Sequence, residues 1–104
     1  MSRVVKNNVG YLQLLVSSPE HEKNLFLCNA TPEQVHAIIQ VIHNILYKYI
    51  PTTKQERNHL LPFQSSIYDL HDPDVPYKKK KQILVQEGGG FISDLLTPFF
   101  TAGL

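Results

Sequence analysis

The 104-residue sequence has one cysteine, no tryptophan, a net charge of only +1 and no long apolar run. A single cysteine excludes an internal disulfide framework and a zinc site built from cysteines. Near-neutral charge excludes a global basic field that would attract nucleic acid. A bilayer-spanning helix needs roughly 20 apolar residues, and the start of the chain lacks the apolar core of a secretory signal. We therefore expect an intracellular protein, in the nucleus or cytoplasm, without a transmembrane span.

The strongest pattern in the sequence is an amphipathic helix over residues 32–49. Thr31 and Gln34 form a capping-box pair, and Pro32 suits the first helical position. The apolar residues then recur at spacings of three and four, which makes one apolar stripe: Val35, Ile38, Ile39, Ile42, Ile45, Leu46 and Tyr49. Pro51 ends the helix.

Shorter helices are predicted around this one, at about 9–16, 20–28, 54–61, 63–70 and 75–86, the last capped by Asp74. Cys28 lies in an apolar run and is expected to be a buried structural thiol. The predicted fold is all-α: a compact bundle of about four to six short helices around one long central helix. Residues 1–87 form the helical domain, and residues 88–104 form a triglycine hinge and an apolar C-terminal tail.

No pattern of catalytic, metal-binding or cofactor-binding residues is present. None of the five histidines stands four residues from another, and His36 and His43 are two turns apart, about 10 Å, too far for one metal ion. Ser65 or Ser66 with His59 and Asp69 lacks a nucleophile-elbow glycine pattern. We therefore expect a protein that is not an enzyme and holds neither metal nor cofactor.

Four adjacent lysines, Lys78, Lys79, Lys80 and Lys81, form the main charged run. On a helix they cannot all face one way, so one interpretation is a solvated patch. The other is contact with phosphates of nucleic acid or of an anionic membrane surface. With so few cations, such binding would be weak, non-specific and sensitive to salt.

Gly88, Gly89 and Gly90 interrupt the helical pattern and separate the lysine run from the tail. They are interpreted either as a simple hinge or as a joint that an endoprotease can bind in an extended form. Beyond them, one helical side carries the apolar residues Phe91, Ile92, Leu95, Leu96 and Phe99. This stripe could be buried in three ways: by packing on its own bundle or on a second copy, by filling a partner's groove, or by entering a membrane interface.

The segment from Lys78 to Ile92, read with its triglycine, resembles short proteins of Polinton/Maverick elements and adintovirus-like genomes. Those proteins combine a small helical domain with a basic tract, Gly-Gly-Gly-Phe and an apolar tail, and are distantly akin to adenovirus small core or membrane-active precursors. The resemblance implies a virion structural protein. It also implies processing by an adenovirus-type cysteine protease after Gly89, with Gln86, Gly88, Gly89 and Gly90 as the recognised residues.

Two functional hypotheses follow. The first is a non-enzymatic structural or accessory protein of a DNA virus or virus-derived element, with lysines that contact phosphates and a detachable apolar tail. The alternative is an intracellular helical protein–protein interaction module, a regulator or inhibitor, whose tail completes its fold. Its partner would be another protein or a second copy of the chain.

Overall fold

The computed structural model describes residues 2–46 and 53–101, and every regular element within them is helical. The all-α prediction is therefore confirmed. The predicted end of the central helix, with Tyr49 and Pro51, lies outside the described residues. In chain order the α-helices are α1 (Arg3–Asn7), α2 (Val9–Ser17), α3 (Glu20–Cys28), α4 (Pro32–Leu46), α5 (Lys54–Leu60), α6 (Gln64–His71) and α7 (Tyr77–Thr101), with a 3₁₀ turn at Leu61–Phe63 between α5 and α6.

Two of the predicted helix starts are made by reciprocal capping. The Gln34 amide donates to Thr31 Oγ1 at 3.2 Å, while the Thr31 amide donates to Gln34 Oε1 at 2.9 Å. Thr53 and Glu56 form the same pair ahead of α5, at 3.0 and 2.8 Å. Each pair satisfies backbone N–H groups that have no partner inside the helix, so these four residues determine where α4 and α5 begin.

The structure departs from the sequence prediction at two helix starts. The short helix α1 was not predicted, because five residues are too few to show a period; Ser2 caps it by accepting from the Val5 amide at 3.3 Å. Helix α7 begins at Tyr77 instead of residue 75, so the prediction that Asp74 caps it was wrong. The Asp74 amide instead donates to Asp72 Oδ1 at 2.9 Å in an Asx turn.

The core is organised on the apolar face of α4. Both ends of the chain contribute to it, since Val5 of α1 and Phe99 of α7 belong to the same buried cluster. The α4 residues buried to 1 % exposure or less are Val35, Ala37, Ile38, Val41 and Ile42. Val35, Ile38 and Ile42 belong to the predicted stripe, Ala37 and Val41 widen the buried face, and Ile39 and Ile45 are only partly buried.

Helix α7 is the longest helix and is broken at Gly88. Gly88 has φ +79° and ψ −170°, a backbone conformation that is almost restricted to glycine. A straight helix of 25 residues would be about 37 Å long, whereas the longest dimension of the protein is 31 Å. The helix is therefore interrupted at Gly88, while Gly89 and Gly90 are helical, and this break lets residues 77–87 and 89–101 pack as two arms.

The apolar tail lies in the core of the same bundle. Residues 89–101 pack with the helices that precede them, and α7 packs most extensively against α3. The five stripe residues are each at most 4 % exposed: Phe91, Ile92, Leu95, Leu96 and Phe99. Of the three possible fates of the tail, the structure shows packing on its own bundle; contact with a partner or a membrane would require these side chains to leave the core.

Cys28 corrects one expectation from the sequence. The thiol is exposed, while its neighbour Leu27 is buried at 1 % exposure. Consecutive residues of a helix point about 100° apart, so the helical rotation that buries Leu27 turns Cys28 outward. The apolar run around Cys28 gave no information on which of its members face the core.

Candidate functional site: the histidine groove

The four lysines of the run, on the first arm of α7, differ in how far they are exposed to solvent. Lys78 and Lys79 are exposed, whereas Lys80 and Lys81 are half-buried. Lys81 Nζ donates to the Ala30 carbonyl oxygen at 3.1 Å, so its ammonium group caps the turn before α4. Of the four lysines predicted to contact phosphates, two are therefore exposed, Lys81 is bonded to the turn before α4, and Lys80 lines the groove described below.

The Ala30 carbonyl fixes the start of α7 against the start of α4. It accepts a hydrogen bond from Tyr77 Oη at 3.3 Å in addition to the one from Lys81. Tyr77 and Lys81 are four residues apart and lie on one face of the helix. Lys80, next to Lys81 on α7, is thereby held on the side of α7 that faces α4.

Between α4, the end of α6 and the start of α7 lies an open groove of about 610 Å³. We call it the histidine groove. The residues that line it are Pro32, Val35, His36, Ile39, Gln40, His43, His71, Pro73, Val75, Tyr77 and Lys80. It follows α4 from Pro32 to His43, a distance of about 16 Å along the helix axis.

The groove combines an apolar floor with basic groups and has no carboxylate among its lining residues. Near the start of α4 lie Lys80 and His36, and His36 Nε2 is 3.2 Å from Gln40 Nε2. At the far end, the rings of His43 and His71 have centroids 5.3 Å apart. The basic side chains therefore lie at the two ends of the groove, and Ile39 and Gln40 of α4 lie between them.

Tyr11 lies beneath the α3–α4 turn with its hydroxyl group donating to the Phe26 carbonyl oxygen at 3.2 Å. Burial, with a smaller contribution from the nearby Tyr77, raises the pKa of Tyr11 to about 12. A phenol that ionises only at so high a pH is no general base near neutral pH. Tyr11 is therefore a structural residue that ties α2 to α3.

The predicted cleavage residues do not form one exposed strand. Gln86 and Gly90 are exposed, Gly88 is half-buried, and Gly89 is buried beneath Glu20 and Lys23 of α3. Glu87, directly before the break, accepts a hydrogen bond from Ser66 Oγ at 3.1 Å. Lys23 Nζ also contacts Ser93 Oγ, one turn beyond the triglycine. A protease that binds four or more extended residues would have to detach this segment from α3 and α6 first.

The structure describes residues 2–46 and 53–101, and these residues place no further catalytic or metal-binding group together. In these two ranges no side chain that is polar or charged is buried in the core, and no group of three or more His, Cys, Asp and Glu side chains is placed to hold a metal ion. Among the same residues, no helix is both long and apolar enough to cross a membrane.

The histidine groove was not predicted from the sequence, although one part of its signal was visible. His36 and His43 are seven residues apart and hence nearly on one face of α4, a spacing that is too long for one metal ion. What could not be seen is that His71 and Lys80, 28 and 37 residues further along the chain than His43, face the same surface. Only the packing of α6 and α7 on α4 brings them there.

Comparison of the chain with protein-family models, with curated proteins and with solved structures found no match.

Proposed function

We propose that this chain is a non-enzymatic, helical protein–protein interaction module that works as one folded unit, with its C-terminal apolar arm as part of the core. The observation that carries this proposal is the burial of Phe91, Ile92, Leu95, Leu96 and Phe99 with the apolar face of α4. An arm that supplies this much of a small core cannot leave without unfolding the rest. A preformed groove on the outside of the same bundle is then the surface available for a partner.

The character of the groove supports binding rather than catalysis. Its walls are helices, its floor is apolar, and its polar groups stand at the two ends. Such a surface offers buried apolar area for affinity and a few polar groups for orientation, as peptide-binding sites do. Neither a nucleophile with an adjacent base nor a buried carboxylate belongs to its lining.

Site-specific photo-crosslinking tests this proposal. A photoreactive amino acid is placed at Gln40, inside the groove, and in a matched variant at Gln13, an exposed position of α2 outside it. In cells that express the chain, we expect one discrete protein to crosslink at position 40 and not at 13, with competition by unlabelled chain. Mass spectrometry identifies that protein. Crosslinking that is equally strong at both positions, or none at either, would overturn the proposal.

A second candidate function is favoured by the exposure of Lys78 and Lys79. As a structural or accessory protein of a virus-derived element, the chain would use these two lysines to contact phosphates of DNA or of an anionic membrane. Binding of a fluorescent 20-base-pair duplex and of phosphatidylserine vesicles in 20 mM salt tests it. Binding that falls when both lysines are replaced by glutamine would support it, and no binding at that salt would exclude it.

A further inference from the structure

The groups that line the histidine groove define which partner it fits. We propose that the groove binds an acidic amphipathic helix of a partner protein, with two carboxylates about seven residues apart and apolar side chains between them. This inference rests on the proposed function, because it names the partner class of the same groove. It depends on three features of the groove: its charge, its length and the structure of its walls.

Charge complementarity selects an acidic partner. The groove lining includes Lys80 from α7, His36 and His43 from α4, and His71 from α6, and it includes no aspartate or glutamate. The carboxylates nearest to the lining residues along the chain are Glu33, directly after Pro32 on α4, Asp69 on α6, and Asp72 and Asp74 in the loop after α6. All four are exposed, none belongs to the groove lining, and Asp72 is used in the Asx turn. An acidic side chain in the groove thus meets a basic or neutral group at either end, while a basic side chain meets Lys80.

The length of the groove sets the spacing of the acidic groups. His36 and His43 are two helical turns apart, so the two basic ends are separated by about 10 Å. Two carboxylates on one face of a bound helix match this separation when they are seven residues apart. The apolar lining residues Val35, Ile39 and Val75, of which Ile39 lies between the two histidines on α4, then face the apolar residues three and four positions along the bound helix.

The walls favour a helix over an extended peptide. Because α4 and α7 use most of their backbone N–H and C=O groups internally, the groove offers no free strand edge. An extended peptide would bring unpaired backbone groups onto the apolar floor, which is unfavourable. A helix satisfies its own backbone and presents only side chains. A nucleic acid strand is disfavoured because the floor is aliphatic and, among the described lining residues, Tyr77 is the only ring that could stack apart from the histidines.

The test is direct binding of synthetic peptides to the full chain by fluorescence anisotropy in 50 mM salt. The probe is a fluorescein-labelled 15-residue helical peptide with two glutamates seven positions apart and leucines between them. One control peptide has the same composition with the glutamates moved to the opposite face, and another has lysines in their place. We expect saturable binding of the probe, about tenfold weaker binding of the shifted peptide, and none of the lysine peptide.

Lys80 and Lys79 give a matched pair of variants, since they are adjacent on α7 and only Lys80 lines the groove. Lys80→Gln is expected to weaken probe binding about fivefold, and Lys79→Gln less than twofold. His36→Gln is expected to weaken probe binding as well, because it removes a ring that can bond a carboxylate at one end of the groove. His59→Gln, which replaces an exposed histidine outside the groove lining, is expected to leave probe binding unchanged.

Each alternative occupant gives a different result. Equal effects of Lys80→Gln and Lys79→Gln, or equal binding of all three peptides, would overturn the inference. A concentration-dependent dimer that Lys80→Gln dissociates would assign the groove to a second copy of the chain, and competition by a 15-base single strand would assign it to nucleic acid. If a partner crosslinks at position 40 but the acidic probe does not bind, the proposed function stands and the acidic-helix class is wrong.

Discussion

The ring of Phe91 packs against the ring of Phe63, with centroids 4.9 Å apart and planes tilted by 53°. Phe63 ends the 3₁₀ turn between α5 and α6, and Phe91 is the first residue after the triglycine. An aromatic pair of this kind contributes about 0.5–1.5 kcal/mol beyond the area that it buries. The beginning of the apolar arm is therefore joined directly to the middle of the chain.

Leu95 and Leu25 offer a test of how much the apolar arm contributes to stability. Leu95 is fully buried, whereas Leu25 on α3 is 60 % exposed. Leu95→Ala should reduce the free energy of unfolding by about 2–5 kcal/mol, because it removes buried methyl groups and leaves a cavity. Leu25→Ala should change it by less than about 0.5 kcal/mol. Urea unfolding followed by circular dichroism measures both, and similar small effects would show that the arm is only loosely attached.

Gly88 and Gly90 should respond to alanine with opposite signs. A Cβ at Gly88 meets nothing closer than Asn24 Oδ1 at 3.7 Å, so the penalty of Gly88→Ala arises from its backbone conformation. We expect a loss of about 1–3 kcal/mol. Gly90 lies in the second arm with open space around it, and Gly90→Ala should stabilise the helix by about 0.5–1 kcal/mol. Stabilisation by both substitutions would mean that residues 77–101 form a continuous helix in solution.

Cleavage after Gly89 should be slow in the native protein and should follow its unfolding. Gly89 is buried against α3, and Glu87 and Ser93 on either side are held by Ser66 and Lys23. We expect an adenovirus-type cysteine protease to cut Leu95→Ala faster than the wild-type chain, by about tenfold for each 1.4 kcal/mol of lost stability.

The control for this proteolysis is Leu25→Ala, which should be cut at the wild-type rate because its stability is nearly unchanged. Mass spectrometry with time identifies the bond that is cut. Rapid cleavage of the wild-type chain after Gly89, with residues 1–89 still folded by circular dichroism, would contradict this prediction. It would restore the detachable tail of the virion hypothesis.

Tyr11 should make the fold sensitive to alkaline pH. Its pKa is raised to about 12 in the folded chain from 10.0, so between these values the unfolded chain has released a proton that the folded chain still holds. The stabilising contribution is thus complete below pH 10 and is lost as the pH rises towards 12. The fall in stability between pH 10 and pH 12 should be smaller in Tyr11→Phe than in the wild-type chain.

Tyr68→Phe is the matched control for this pH dependence, because Tyr68 is 56 % exposed and lies on α6. It should leave the fall in stability unchanged. Hydrogen bonding by Tyr11 also contributes at neutral pH, so the quantity to compare is the slope with pH and not the stability at one pH. Equal slopes in all three proteins would mean that Tyr11 ionises in the native state as readily as in the unfolded chain.

Much of the helical layout could be predicted because it depends on neighbours in the sequence. The capping pairs Thr31–Gln34 and Thr53–Glu56, and the apolar period of α4, act over distances of three or four residues. The break at Gly88 is equally local. The exact start of α7 was less predictable, because Asp72 and Asp74 both suit a helix cap and the Asx turn between them decides which residues are used.

What the sequence could not indicate depends on contacts between distant residues. The sequence allowed three placements of the apolar arm. The arm packs on its own bundle through contacts with Phe63, Lys23 and the α4 face, none of which lies near it in the sequence. The division of the lysine run likewise depends on the Ala30 carbonyl, 51 residues before Lys81. The histidine groove could not be predicted for the same reason, because its residues come from three helices and a loop.

The Lys23–Ser93 contact joins residues 70 positions apart, so the ribosome must make most of the chain before this contact can form. During translation, the apolar faces of α2, α3 and α4 are complete long before residues 91–99 exist to cover them. At about 5–20 residues per second, this interval lasts several seconds. In that time the growing chain presents the kind of surface that chaperones bind, and the protein can reach its native state only after residue 99 has left the ribosome.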